Sequence, residues 1–422
     1  MENAKDKKAN VNLYSKYKMF SWDMLFYYAI SFLFFTQIKG ISAADVVLAE
    51  AFYPLFKVLL LIPATILIEK IGKRKSLIIG NIAIAISTVT YLFATNFIYI
   101  LIGQFFSAVG YIIKGICETN MLYDSLEKNE KRGSIFSKID GKATSYYYYI
   151  DAISSAISGF LFAINGYLPI VMSLLINIYS VVLSFRFHEI DDEIKEKVTI
   201  GKQIKDLKIS LKSMSHSSRL RNLLLFGAVF SGILSVLITL RSSLLQDIQI
   251  PAQYFGIIFG VFGIISGIAA KNQSKFHNKY RTKTLATLSF PFVISCIVLG
   301  ICCSLNLNFN ILIIIVLGCF LIQYVAKGPF YTLIRQYLNN FTNSSLRTKI
   351  SSSYNLLESL VRSGIGFFVS FLLRYTNTFN VVTIVGCIAT ISIVIMLDHM
   401  RQKVGLKPDQ YKEKDIKIME LK

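Results

Sequence analysis

The chain has 422 residues, 54% hydrophobic and 17% charged, with a formal net charge of +20. That apolar share excludes a large soluble protein and places the chain among membrane proteins. The basic charge would suggest nucleic acid in a soluble protein, but 37 of the 45 Lys and Arg fall in alternate connections between apolar stretches. This positive-inside pattern excludes a nucleic-acid partner and puts both termini in the cytoplasm.

Twelve stretches are long enough to span, at 19–38, 46–68, 76–95, 97–123, 140–164, 168–187, 221–241, 253–270, 284–303, 310–334, 350–373 and 379–397. Each is expected to be helical, because a spanning segment must satisfy its own backbone hydrogen bonds. The fold class is therefore an all-α membrane protein of twelve transmembrane helices. Two six-helix halves, 19–187 and 221–397, are expected to be joined by a cytoplasmic linker at 188–220. Residues 1–18, with five lysines, are expected to form a mobile cytoplasmic tail, and residues 398–422 a second tail. The connections opposite the basic set hold only Lys39, Arg241 and Arg374.

The first stretch opens on Trp22, the only tryptophan, and Asp23, which is either a solvated end charge or a pathway carboxylate. The stretch runs past signal-peptide length, and no small-residue cleavage site follows it. The second stretch carries Glu50 and Lys57, two helical turns apart and on one face. It ends in Ile62-Pro63-Ala64-Thr65 and runs into Glu69-Lys70-Ile71-Gly72-Lys73-Arg74-Lys75. Gly72 permits a tight turn there.

The fourth stretch contains Lys114 and Glu118, four residues apart, a spacing that places them on one helix face and close enough to pair. A charge near the bilayer centre costs about 2.5–3.5 kcal/mol or more, so neither is expected to face lipid. They either lock two helices together or line a transport pathway. Tyr111-x-x-Lys114-Gly115 recurs 213 positions later as Tyr324-x-x-Lys327-Gly328, again 17 residues into an apolar stretch. Similarity between halves marks transporters built by duplication, with the site at the interface of the repeats.

Loop 2–3 resembles the major facilitator superfamily signature G-x-x-x-D-[RK]-x-G-R-[RK]. Glu69 stands at the aspartate, Gly72 at the later glycine and Lys73-Arg74 at the basic pair, while Thr65 replaces the first glycine. Ile62-Pro63 resembles the E-I-P-[ST]-G of bacterial members, with Leu61 in place of the acid. Lys114-Gly115-x-x-Glu118-x-x-x-x-Tyr123-Asp124-Ser125-Leu126 is similar to the [RK]-[SG]-x-x-E-A-x-x-Y-D-S-L of bacterial members grouped with drug exporters. The resemblance implies two pseudo-symmetric six-helix bundles, alternating access, and a cytoplasmic gate at Glu69, Lys70, Gly72, Lys73 and Arg74.

The fifth stretch holds Tyr146 to Tyr149, of which Tyr146 and Tyr149 are candidates for a substrate cavity, and then Asp151, midway along the span. An ionisable residue at that depth is a default functional candidate. The end of this stretch reads Ser158 to Gly166 without the Gly-Pro of many drug:proton antiporters. In the linker, Ile204, Leu207 and Leu211 suit a short surface helix. In the eleventh stretch, Glu358 and Arg362 repeat the four-residue acid–base spacing in reverse and could simply pair. The six cysteines all lie in apolar stretches and read as small core residues.

No metal or nucleophilic constellation and no Walker-type loop is visible, so no enzyme activity and no cofactor are expected. Power would come from an ion gradient. Asp151, Glu118 and Glu50 are the candidate proton carriers. Lys114, Lys327, Lys57, Tyr146, Tyr149, Glu358 and Arg362 are the candidates for contact with a small-molecule substrate. The reading is a monomeric secondary transporter of the plasma (inner) membrane, exporting a small organic or drug-like molecule in exchange for protons. The alternatives are uptake symport of an organic anion, favoured by the missing antiporter motif and the buried bases, or a non-transporting sensor or scaffold.

Overall fold

The computed structural model describes residues 2–127, 129–190, 218–305, 307–341 and 344–400. Its regular structure is entirely helical among those residues. The helices are α1 (Glu2–Ser21), α2 (Ser31–Leu33), α3 (Ala43–Ile71), α4 (Lys73–Leu92), α5 (Phe97–Ser125), α6 (Arg132–Ile164) and α7 (Leu168–Ser184). They continue with α8 (Ser218–Asp247), α9 (Phe255–Lys271), α10 (Gln273–Tyr280), α11 (Thr284–Ser304), α12 (Phe309–Phe341), α13 (Ser344–Leu373) and α14 (Thr378–His399). Among the described residues, ten helices are long and apolar enough to cross a membrane, and Leu168–Ser184 is a shorter apolar helix.

The first expected span differs most. Residues 19–38 are not one helix: α1 ends at Ser21, turns follow, and α2 runs into a π-helical turn at Phe34–Ile38. No Pro or Gly explains this break, so its cause is tertiary. The Trp22 carbonyl, freed by the end of α1, accepts a hydrogen bond from Lys114 Nζ at 3.0 Å. Met24, Leu25, Tyr27, Ala29 and Ile30 are all buried, and irregular backbone at membrane depth is tolerated only where protein covers it. Phe26 is held at a φ of 65°, a conformation that a bulky residue adopts only under constraint.

The residues expected to be a mobile tail form α1 instead. Asn10, Tyr14, Tyr17, Lys18 and Ser21 are buried along one face of it. Their spacing of three to four residues is helical, and the polar ends of Asn10, Tyr14, Tyr17 and Lys18 meet partners beyond α1. Arg241, expected in an external connection, lies inside α8, which continues past the expected end at 241 to Asp247. The linker positions Ile204, Leu207 and Leu211, and the tail from 401 onward, lie outside the described residues.

Two compact units are present. The first holds the described residues up to 190 together with Ile250–Gly260, and the second holds 218 to Gln249 and Val261 onward. Within the first unit, α4 and α5 touch backbone to backbone: a Cβ at Gly110 would come within 2.6 Å of the Gly80 carbonyl oxygen. That contact fixes the rotation of α5 and turns Lys114 and Glu118 into the unit. In the second unit, the Phe230 ring packs at a tilt against those of Phe330 and Phe292 at centroid distances of 4.4 and 4.6 Å, joining α8, α12 and α11. Of the six cysteines, Cys117, Cys296 and Cys319 are buried, Cys302 and Cys303 partly so, and Cys387 faces outward.

Candidate functional site

In the first unit, α5 carries the deepest charges. Lys114 is 2% exposed and Glu118 3%. They share a face as expected but do not form the expected close pair. Lys114 donates to the Trp22 carbonyl, and its ammonium lies over the Tyr111 ring at 4.7 Å. Glu118 Oε2 has no hydrogen-bond partner, although Lys114, Lys18 and Asp140 act on the carboxylate electrostatically. The helix break decides this arrangement, because it offers the ammonium a bare carbonyl.

Beside Glu118 lies an ion pair that the sequence reading missed. Lys18 of α1 pairs with Asp140 of α6, and the Tyr14 hydroxyl donates to the same Asp140 oxygen at 2.5 Å. The Lys18 ammonium also lies 4.0 Å from the centre of the Trp22 ring. The signal for these residues was the helical spacing of Tyr14, Tyr17, Lys18 and Ser21, which the high charge of the N-terminal segment obscured.

The other first-unit candidates are distributed as follows. Lys57 lies over the Tyr53 ring at 5.5 Å, and Glu50 acts on the stacked Tyr27 and Tyr91 rings. Asp151 lies one turn beyond Tyr147, within electrostatic reach of its hydroxyl. Of the four consecutive tyrosines, the one turned into the unit is Tyr147, at 5% exposed, whereas Tyr146 and Tyr149 are exposed. A helix turns 100° per residue, so only one of the four can occupy the inner face.

The loop 2–3 motif is built around Gly72, whose φ of 88° ends α3 and starts α4. The Glu189 carboxylate accepts from the backbone N–H of Lys73 at 2.9 Å and of Arg74 at 2.7 Å. It thereby caps the α4 N-terminus, where the helix dipole favours a negative charge. The Arg74 guanidinium donates to the Phe185 carbonyl at 2.9 Å. Lys73 pairs with Asp124, and Arg132 lies 3.9 Å from the same carboxylate. Glu69 and Lys70, by contrast, are exposed. The acids that organise this motif are thus Asp124 and Glu189 rather than Glu69. Asp124 was visible within the Y-D-S-L match, but Glu189, more than 100 positions away, carried no local signal. Glu189→Ala is expected to lower stability by about 1 kcal/mol through loss of the cap, read as a fall in melting temperature, with Glu189→Asp intermediate.

In the second unit, Glu358 and Arg362 do not pair with each other. The Ser231 hydroxyl donates to Glu358, and Arg362 donates to Ser235 Oγ at 2.7 Å. The two four-residue spacings, one on α13 and one on α8, run side by side. Tyr331 joins Ser231 at 3.3 Å. Lys327 lies over the Tyr324 ring at 5.6 Å, echoing Lys114 over Tyr111. The Arg241 guanidinium, 5% exposed, lies over the same ring at 4.3 Å. A single tyrosine thus holds two cations, of which sequence reasoning had found one.

The family model of the Major Facilitator Superfamily matches residues 19–366. Among curated proteins none matches the sequence. Among solved structures, the nucleoside transporter NupG superposes with a TM-score of 0.72 at 10% identity, over 94% of this chain and 99% of that one. A peptide transporter, POT, in complex with sulfate gives 0.67 at 11% identity, over 96% and 95%. A bacterial homologue of the human lysosomal transporter Spinster, inward-facing and unoccupied, gives 0.64 at 13%, over 94% and 96%. At such identities the likeness is one of fold.

Proposed function

We propose that this chain, which belongs to the Major Facilitator Superfamily, is a secondary transporter that exports a small organic or drug-like molecule in exchange for protons. The observation that carries the reading is the buried Lys114 and Glu118 on a helix long enough to cross a membrane. Ionisable groups at that depth are costly and mark solute or proton pathways. A buried carboxylate can carry a proton, because desolvation and neighbouring charges set its affinity for one. Two halves would expose the site alternately to each side. The protein would work as a monomer in the plasma membrane with both termini cytoplasmic, an orientation supported by the alternation of basic connections.

Uptake of an organic anion is the second reading, favoured by Arg241 and Lys327 on the Tyr324 ring. Counterflow in proteoliposomes with a panel of drugs and metabolites tests both: saturable exchange of at least one compound is expected, and its absence across the panel counts against transport. Coupling is tested separately. Asp151→Asn keeps the size of the side chain and removes its titration. If Asp151 carries the coupling proton, the variant loses gradient-driven accumulation and keeps exchange. Surviving accumulation moves the role to Glu118 or Glu50.

A further inference from the structure

Asp6, Asn10 and Tyr17 share one face of α1 at helical spacing, and all three hold the same short stretch of chain beyond α7. The Tyr17 ring meets that of Phe187 edge-on at 5.1 Å. The Asn10 side chain takes both backbone groups of His188. Its Oδ1 accepts from the His188 N–H at 2.9 Å, and its Nδ2 donates to the His188 carbonyl at 2.9 Å. Asp6 Oδ1 lies 3.3 Å from His188 Nδ1, but both side chains are partly exposed, and such a pair contributes little. Asn10 is 1% exposed, where hydrogen bonds left unmade are costly. Asn10 therefore dominates this contact.

Asn10 Nδ2 also donates to Ser125 Oγ at 3.1 Å, while the Ser125 hydroxyl donates to the Met121 carbonyl at 2.7 Å. One amide thus bridges the chain at 188 to the end of α5. Only a primary amide of this reach offers an acceptor and two donors at once. Each residue that Asn10 holds is the immediate neighbour of an acid that organises loop 2–3. Glu189 follows His188 and caps α4 through the Lys73 and Arg74 N–H groups. Asp124 precedes Ser125 and takes the Lys73 ammonium. Asn10 itself lies one residue removed from both acids.

Residues 187–190 belong to no helix or strand, so regular structure does not fix the place of Glu189. The bonds to its neighbour do. We propose that Asn10 is a positioning residue for loop 2–3: by clasping His188 and Ser125 it seats Glu189 and Asp124 against the first turn of α4. The N-terminal helix thereby controls whether this motif holds or releases. That release accompanies opening of the cytoplasmic side rests on the transporter reading, with loop 2–3 as its gate. The clasp itself does not rest on that reading.

Amide hydrogen exchange of the full chain in detergent tests this at a distance from the substitution. Asn10→Ala is expected to speed exchange at the Lys73 and Arg74 amides roughly fivefold, the effect of losing a helix cap, although Asn10 bonds to neither. Glu189→Ala is expected to do the same. The double variant is expected to exchange there no faster than Glu189→Ala alone, because both substitutions remove one cap. Wild-type protection at Lys73 and Arg74 in Asn10→Ala, with faster exchange confined to α1 and 187–188, overturns the proposal and leaves Asn10 as an anchor of α1. Additive effects in the double variant overturn it too. Should Asn10→Ala fail to fold, Asn10→Asp keeps the size and the acceptor and removes both donors. Unchanged protection at Lys73 and Arg74 in that variant overturns the proposal equally. Counterflow on the same variants is expected to change by one factor in Asn10→Ala, Glu189→Ala and the double. Faster exchange at Lys73 and Arg74 with unaltered counterflow upholds the clasp and counts against loop 2–3 as the gate.

Discussion

Lys114→Met is expected to abolish transport and to destabilise the protein by about 3–5 kcal/mol, the usual cost of leaving a buried charge without its compensating partner. Lys114 does two things that one methionine removes. It satisfies the Trp22 carbonyl freed by the break in the first apolar stretch, and it offsets the buried Glu118 electrostatically. Glu118→Gln added to Lys114→Met is expected to restore much of the stability, because an amide buried there carries no charge. It is not expected to restore transport if Glu118 also carries a proton. Thermal unfolding in detergent and counterflow, measured on the single and double variants, separate the two effects. Equal stability of the Lys114→Met and doubly substituted chains would show that Glu118 is neutral in the folded protein.

Gly72→Val is expected to reduce transport roughly tenfold or more while membrane abundance stays near wild type. At a φ of 88° and a ψ of 164° an L-residue with a Cβ is strained by about 1–3 kcal/mol, and β-branching makes the position worse. The new Cβ would stand 3.0 Å from Glu189 Oε2, so the carboxylate that caps α4 has to move. With it goes the arrangement that places Lys73 on Asp124. Gly72→Ala is expected to show the same defect more weakly. Initial rates normalised to membrane protein, read beside a surface-abundance assay, check this. Full transport at normal abundance would reduce the loop to an insertion anchor.

The spanning helices were readable from the chain because hydrophobic length and backbone self-satisfaction are local properties. Ala43–Ile71 is continuous despite Pro54 and Pro63, as its unbroken apolar run implies. The repeated Tyr-x-x-Lys-Gly was legible for the same reason, since in both copies the lysine lies over the tyrosine three positions earlier. The loop 2–3 glycine was equally clear, because a residue that must adopt positive φ is glycine wherever it stands.

What the sequence alone determined is thus a multi-pass helical protein with charges buried in its spans. Which partner each buried charge takes was decided only by tertiary structure. The spacing allowed Lys114 and Glu118 to pair, but the break after Ser21 offered Lys114 a carbonyl, and it allowed Glu358 and Arg362 to pair, but α8 brought Ser231 and Ser235 alongside. Lys18 read as part of a tail until Asp140 met it across 122 positions. A span can satisfy its own backbone but not a charged side chain, so each buried charge depends on whichever helix packs against it. That choice is made by side-chain packing between helices distant in the chain, and no local pattern encodes it.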